Sequence, residues 1–209
     1  MEEHKIHLKQ VFEELREHKL YVNAKKSEFF LQEICYLGHI IISKEGICMD
    51  LEKLKVIDEW PVPKNLHKVR SFIGMCSYYR RFIARFSIIA GPLHDLTKKK
   101  VKFQWKVKEH TAFLNLKQRL MSQPLLKLPD LEKTFEVHSD ASGDSVCAVL
   151  SQGGQPIAYE SRRLHSKERT LGIYKKELLS VIHALNSWKH YLLGTPFIIR
   201  TNHQSIRYF

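Results

Sequence analysis

Two carboxylates stand where this sequence could do chemistry. Asp140 lies near the end of TFEVHSDAS, residues Thr134–Ser142, and Glu177 lies in YKKELLSVIHALNSWKHYLLG, residues Tyr174–Gly194. In the first stretch Phe135 and Val137 alternate with Glu136, His138 and Asp140, the period of a half-buried strand. In the second, Tyr174, Leu178, Val181, Ile182, Leu185, Trp188 and Leu192 recur at helical spacing, and Glu177 sits at the edge of that apolar stripe. A strand-end acid facing an acid on the packed helix supplies the hard oxygen ligands with which a metal-dependent nuclease holds Mg²⁺. Asp144 reads as a turn residue and His138 as a neighbour of Asp140, neither as a ligand.

The elements that must position these acids follow in chain order. His4–His18 carries an amphipathic helical pattern. The run from Glu33 to Ser43 is β-rich and interrupted by Gly38, and Ile47–Met49 returns after a glycine turn, which predicts a hairpin. A short helix over Asp50–Ile57 is stopped by Trp60-Pro61-Val62-Pro63, the first plausible subdomain boundary. Asn65 caps a predicted helix from Leu66 to about Ile83. Val69, Phe72, Ile73, Cys76, Tyr79 and Phe82 form its apolar side, with Lys68, Arg70, Arg80, Arg81 and Arg85 around it. A second, shorter helix over Ser87–Leu96 breaks at Gly91-Pro92, and Glu109–Met121 forms another. From Thr134 the pattern turns to strands, with Ser145–Ser151 and Pro156–Ser161 joined by the tight turn Gln152–Gln155. The long helix follows, and Phe197–Thr201 is a fourth strand.

Charge is uneven. The chain has 209 residues and a formal net charge of +12. Residues 64–133 hold 16 Lys/Arg against 4 Asp/Glu, enough to account for the whole excess. A basic segment with interleaved aromatics suits a polyanion, above all a nucleic-acid backbone. No apolar run reaches the ~20 residues of a membrane span, and MEEHKIHLKQ has no signal-peptide core, so an intracellular protein, cytoplasmic or nuclear, is expected. Cys35, Cys48, Cys76 and Cys147 form no C-x-x-C pair, which argues against zinc and for reduced, buried thiols.

Eight blocks in order carry a resemblance. They are Tyr36-Leu37-Gly38-His39; Trp60-Pro61-Val62-Pro63; Arg70–Gly74 with Tyr78-Tyr79-Arg80; Phe86-Ser87 with Ile89–Leu93; Ser139-Asp140-Ala141-Ser142; Ala148–Gln152; Glu177-Leu178-Leu179; and Tyr191–Gly194. Over nearly its whole length the chain resembles the Pol polyprotein of gypsy-type long-terminal-repeat retrotransposons, from just after the polymerase active site into the ribonuclease H domain. The resemblance implies an α+β chain. A palm remnant with a primer-grip-like hairpin covers 1–63 and a thumb-like helical subdomain covers 64–101. A ribonuclease H-like mixed sheet with helices, truncated at its C-terminal side, covers 102–209, with one sheet face short of cover.

The resemblance also implies roles. Asp140 and Glu177 correspond to the first two metal carboxylates, with Mg²⁺ as cofactor. Tyr36, Gly38, His39, Lys68, Arg70, Tyr79, Arg80, Arg81 and His203 correspond to nucleic-acid-binding positions, and the partner is an RNA–DNA hybrid or duplex together with the missing palm and fingers. Two departures count against full activity. No Tyr-x-Asp-Asp turn is present, and the family's Thr-Asp-His reads Thr201-Asn202-His203, so a neutral carbonyl replaces the third anion and the fourth acid falls beyond Phe209. The implied reading is a catalytically impaired reverse transcriptase/ribonuclease H fragment. The alternative is a non-catalytic nucleic-acid-binding module derived from such an element.

Overall fold

A computed structural model of the chain describes residues 2–42 and 45–201. The first helix, α1 (Glu2–Glu17), buries no residue, and Ile6 and Val11 stay more than half exposed. A three-stranded antiparallel sheet follows: β1 (Glu33–Tyr36), β2 (His39–Ile42) and β3 (Gly46–Met49), in that order across the sheet. The β1–β2 connection is two residues, Leu37 and Gly38, with φ of 49° and 73°. Two successive left-handed residues are what a tight hairpin needs, and glycine supplies the second without strain.

The helical core is built from α2 (Leu51–Asp58), α3 (Leu66–Tyr78), α4 (Phe86–Ile89), α5 (Gly91–Leu96) and α6 (Val107–Met121). Asp50 caps α2 and Asn65 caps α3, each through its side-chain oxygen. Phe72, Phe82, Leu93, Phe113, Leu116 and Leu126 are almost fully buried together, joined by Met49 and Ile57. α3 ends at Tyr78, short of the expected Ile83. The Tyr79 amide turns back to Cys76 O and a 3-10 turn takes Arg80–Phe82, so these arginines leave the helix axis.

A second sheet holds β4 (Phe135–Ser142), β5 (Ser145–Gln152), β6 (Gln155–Arg163) and β7 (Phe197–Thr201), in the order β6-β5-β4-β7. β4 and β5 are antiparallel, while β7 runs parallel to β4 after the crossover through α7 (Ser166–Arg169), α8 (Ile173–Ser187) and α9 (Lys189–Leu192). The expected single helix from Tyr174 to Gly194 divides at Trp188. This mixed sheet with its crossover helix is the ribonuclease H-like fold that the resemblance implies.

Neighbouring residues of β6 separate the two faces of the sheet. Tyr159 packs on the helical core, whereas Ala158 packs with Val137, Leu150, Ala184 and Trp188 under α8. Thus α8 covers one face, and α4 and the 3-10 turn lie against β6 on the other. Cover is thin at one margin: Phe197, Ile198 and Ile199 of β7 and Leu178 and Ile182 of α8 remain 38–47% exposed. The thiols differ from expectation, since Cys76 and Cys147 are buried but Cys35 is exposed.

Candidate nucleic-acid interface and metal centre

β4 is central in its sheet, and Asp140 pairs with Cys147 two rungs before the strand ends. At this rung the Ser180 hydroxyl of α8 lies 3.0 Å from Asp140 O and 3.1 Å from Cys147 O, which pins the helix to the strand. One turn earlier on the same helix face is Glu177, only 9% exposed. The Lys176 ammonium reaches Gly143 O at 3.1 Å, so the start of α8 lies level with the end of β4. Glu177 belongs to the buried face itself, with Ser180, Val181 and Ala184, and not to the edge of a stripe.

The two acids come to one strand end from different sides. Residues paired across an antiparallel sheet share a face, so Asp140, Cys147 and Ser161 point the same way. Ser161 Oγ accepts from Ser87 N of α4, which makes this the helical-core side, opposite α8. Asp140 and Glu177 thus lie level along β4, with Asp140 on the face opposite the helix that carries Glu177. On its own face the Asp140 carboxylate accepts a hydrogen bond from Arg85, Nη2 to Oδ2 at 3.0 Å. A cleft of about 230 Å³ opens beside them, lined in part by His138, Val149, Tyr159 and Arg200.

Carboxylate oxygens are the right donors for Mg²⁺, and Asp140 and Glu177 fit such an ion in kind. Among the described residues no group of three or more ligating side chains comes together. The third position, Asn202, and the neighbouring His203 lie outside the described residues. Asp144 stands in its turn near Arg169 at 3.6 Å, and His138 neighbours Glu136 at 3.7 Å.

The expected nucleic-acid contacts divide by exposure. Tyr36, Lys68 and Arg70 are exposed. Tyr79 is not: the residue is 4% exposed, packed in the helical core, and its hydroxyl donates to Gly38 O at 3.2 Å. Tyr79 therefore shapes the hairpin and offers no stacking surface. Its neighbour Tyr78, not singled out in the sequence beyond its motif, donates to Leu37 O at 2.5 Å. His39 stacks on Phe82 with ring centroids 5.6 Å apart, and burial pushes its pKa down. Arg80 is engaged by Glu160, which His183 also approaches, and Arg81 is half-buried. The adjacency of Tyr78 and Tyr79 was the available signal, but helical spacing alone cannot say that both hydroxyls turn towards one hairpin.

With this geometry in place, comparison with known proteins is informative. Residues 105–199 match the family described as RNase H-like domain found in reverse transcriptase. The retrovirus-related Pol polyproteins from transposons 297 and gypsy of Drosophila melanogaster are 38% and 37% identical to the chain over 99% of its length. The chain is similar to retrotransposon Pol polyproteins over nearly its whole length. It spans 20% and 21% of those two relatives, and 16% of the Tf2-3 polyprotein of Schizosaccharomyces pombe, which is 34% identical over 98% of this chain. Among solved structures, the foamy viral protease-reverse transcriptase in complex with RNA/DNA hybrid superposes with a TM-score of 0.80 at 25% identity, covering 99% of this chain and 29% of that one. The same viral protein in complex with dsDNA gives 0.78 at 26%, covering 99% and 44%. No described helix is long and apolar enough to cross a membrane.

Proposed function

We propose that this chain is the grip, thumb and nuclease-shell portion of a retrotransposon reverse transcriptase and that it binds an RNA–DNA hybrid or duplex inside the cell, in cytoplasm or nucleus. Residues 1–63, 64–101 and 102–209 act as palm remnant, thumb and ribonuclease H-like unit. The observation that carries the reading is the Ser180 pin, which brings the buried Glu177 and Asp140 to the same end of β4. Asp140 and Glu177 would hold Mg²⁺, which when bound activates water and steadies the leaving oxygen of an RNA strand. Tyr36, Gly38 and His39 present the hairpin tip to the nucleic acid. Lys68 and Arg70 meet phosphates, Tyr79 positions the hairpin tip from beneath through Gly38 O, and Arg80 and Arg81 flank it. The resemblance implies a substrate contact for His203.

With Asn202 in place of the third carboxylate, the chain by itself cleaves weakly and does not polymerise. A labelled hybrid incubated with Mg²⁺ tests this. Residual cleavage should fall to background in Asp140→Asn and rise at least tenfold in Asn202→Asp, since losing one ligand of such a site commonly costs orders of magnitude. Cleavage indifferent to Asp140 would end the nuclease reading. A second reading, a purely binding module, is favoured by the Arg85 contact on Asp140. Hybrid binding without cleavage, even with Asn202→Asp, would establish it.

A further inference from the structure

The group that meets the Asp140 carboxylate is a cation the chain already owns. Arg85 belongs to the helical core and Asp140 to the sheet, and their contact is one of a row across that seam. Arg163 reaches Asp95 at 2.8 Å, Arg80 reaches Glu160, and Ser87 N reaches Ser161 Oγ at 2.9 Å. None of these other contacts involves Arg85.

Arg85 differs from its neighbours in backbone and in grip. Its φ is 58°, left-handed, at the residue preceding α4, where a non-glycine persists only when its surroundings hold it there. Arg162 clasps Glu168 with two nitrogens on two oxygens, at 2.7 and 2.8 Å. Arg85 touches Asp140 through one nitrogen and one oxygen, and its side chain is 63% exposed. A one-point, solvent-screened pair releases more readily than a fork.

We propose that Arg85 is a built-in counter-ion for Asp140, a latch that a divalent cation must displace before the carboxylate can serve as its ligand. This rests on the reading of Asp140 as a metal ligand. While latched, the carboxylate is neutralised by one positive charge, and a dication approaching it meets the guanidinium as a competitor and a repulsive neighbour. Swinging Arg85 into the open cleft frees the oxygen and leaves the guanidinium beside the ion, placed to meet a phosphate.

Mn²⁺ titrated into the whole chain and followed by electron paramagnetic resonance tests the latch by binding, without turnover. Arg85→Ala and Arg85→Gln should each bind Mn²⁺ roughly two- to fivefold more tightly than the unaltered chain, the factor set by an exposed pair. Arg85→Lys, which keeps the charge, should stay within about twofold of the unaltered chain. Asp140→Asn should bind more weakly, and adding Arg85→Ala to it should restore nothing. The glutamine variant and a thermal melt of each protein separate loss of the latch from loss of the fold. Weakened binding in Asp140→Asn with no gain in either neutral Arg85 variant overturns the latch alone and leaves the nuclease reading standing. Unchanged binding in Asp140→Asn removes Asp140 as a ligand, and the latch with it.

Discussion

A few residues do work their types would not announce. Gly38 has φ of 73°, and a methyl group added there would stand 2.8 Å from the Tyr79 hydroxyl. Gly38→Ala therefore meets both backbone strain and a clash at the hairpin tip. It should lower unfolding free energy by roughly 1–3 kcal/mol, read by urea denaturation. Glu168 shows a different effect. The Arg162 guanidinium, then the His165 amide, hold its carboxyl down at about 2 from an ordinary 4.5. A carboxyl lowered on folding stabilises fully above its unfolded value and loses that contribution as pH falls through its folded one. The stability advantage of the native chain over Arg162→Ala should thus be constant above about pH 5 and shrink between about pH 4.5 and 2, checked by melts across that range. Dependence confined to neutral pH would refute the assignment.

At the scale of elements, side-chain hydrogen bonds place what propensity leaves loose. Gln152, 1% exposed, accepts from Asp130 N and donates to Asp130 O and Lys133 O, all within 3.0 Å, and so staples the linker before β4 to the end of β5. Gln152→Leu keeps the volume but removes all three bonds and sets an apolar side chain against the main-chain groups they served. It should cost roughly 1–3 kcal/mol in chemical unfolding, with an unchanged β5–β6 turn. The strands were readable because Phe135 and Val137 alternate with polar neighbours, and the cap of α3 because Asn65 precedes an apolar run, whereas Asp50, expected inside its helix, caps it instead. The end of α3 was not, since Tyr79 is as apolar as a helix continuing would require. The stripe on α8 also misled in part: Leu178 and Ile182 fit its period yet stay 40% and 47% exposed, whereas Glu177 and Ser180 are buried. Periodicity finds a face but cannot say how much of it a neighbour covers.

For the whole molecule, the basic segment 64–133 sits on the helical core, with Lys68, Arg70 and Lys99–Lys102 at its surface. Binding of a hybrid should therefore weaken steeply with salt. If several phosphates are neutralised, a plot of log affinity against log salt should have a slope of about −0.7 to −0.9 per phosphate contact, and Lys68→Ala should flatten it by about 1. A slope near zero would count against phosphate recognition. The order of motifs carried the resemblance in the sequence, because some blocks are turns or sites whose residue types are physically constrained, as at Leu37-Gly38 and Asp140, although others lie inside elements, as Ala148–Gln152 does in β5. Which modules touch was hidden, because Arg85 and Asp140 are surface-type residues far apart in the chain, and neither predicts the other.

Gly46 lies against Leu126, whose carbonyl leaves no room for a side chain, and Ile47 and Leu126 exchange two main-chain hydrogen bonds of 2.7 and 3.0 Å. The segment that leads into the acid-bearing strand is thereby tethered to the small sheet that carries the Leu37-Gly38 hairpin. A pull on the hairpin would be transmitted along this seam to the start of β4, without passing through the helices between them.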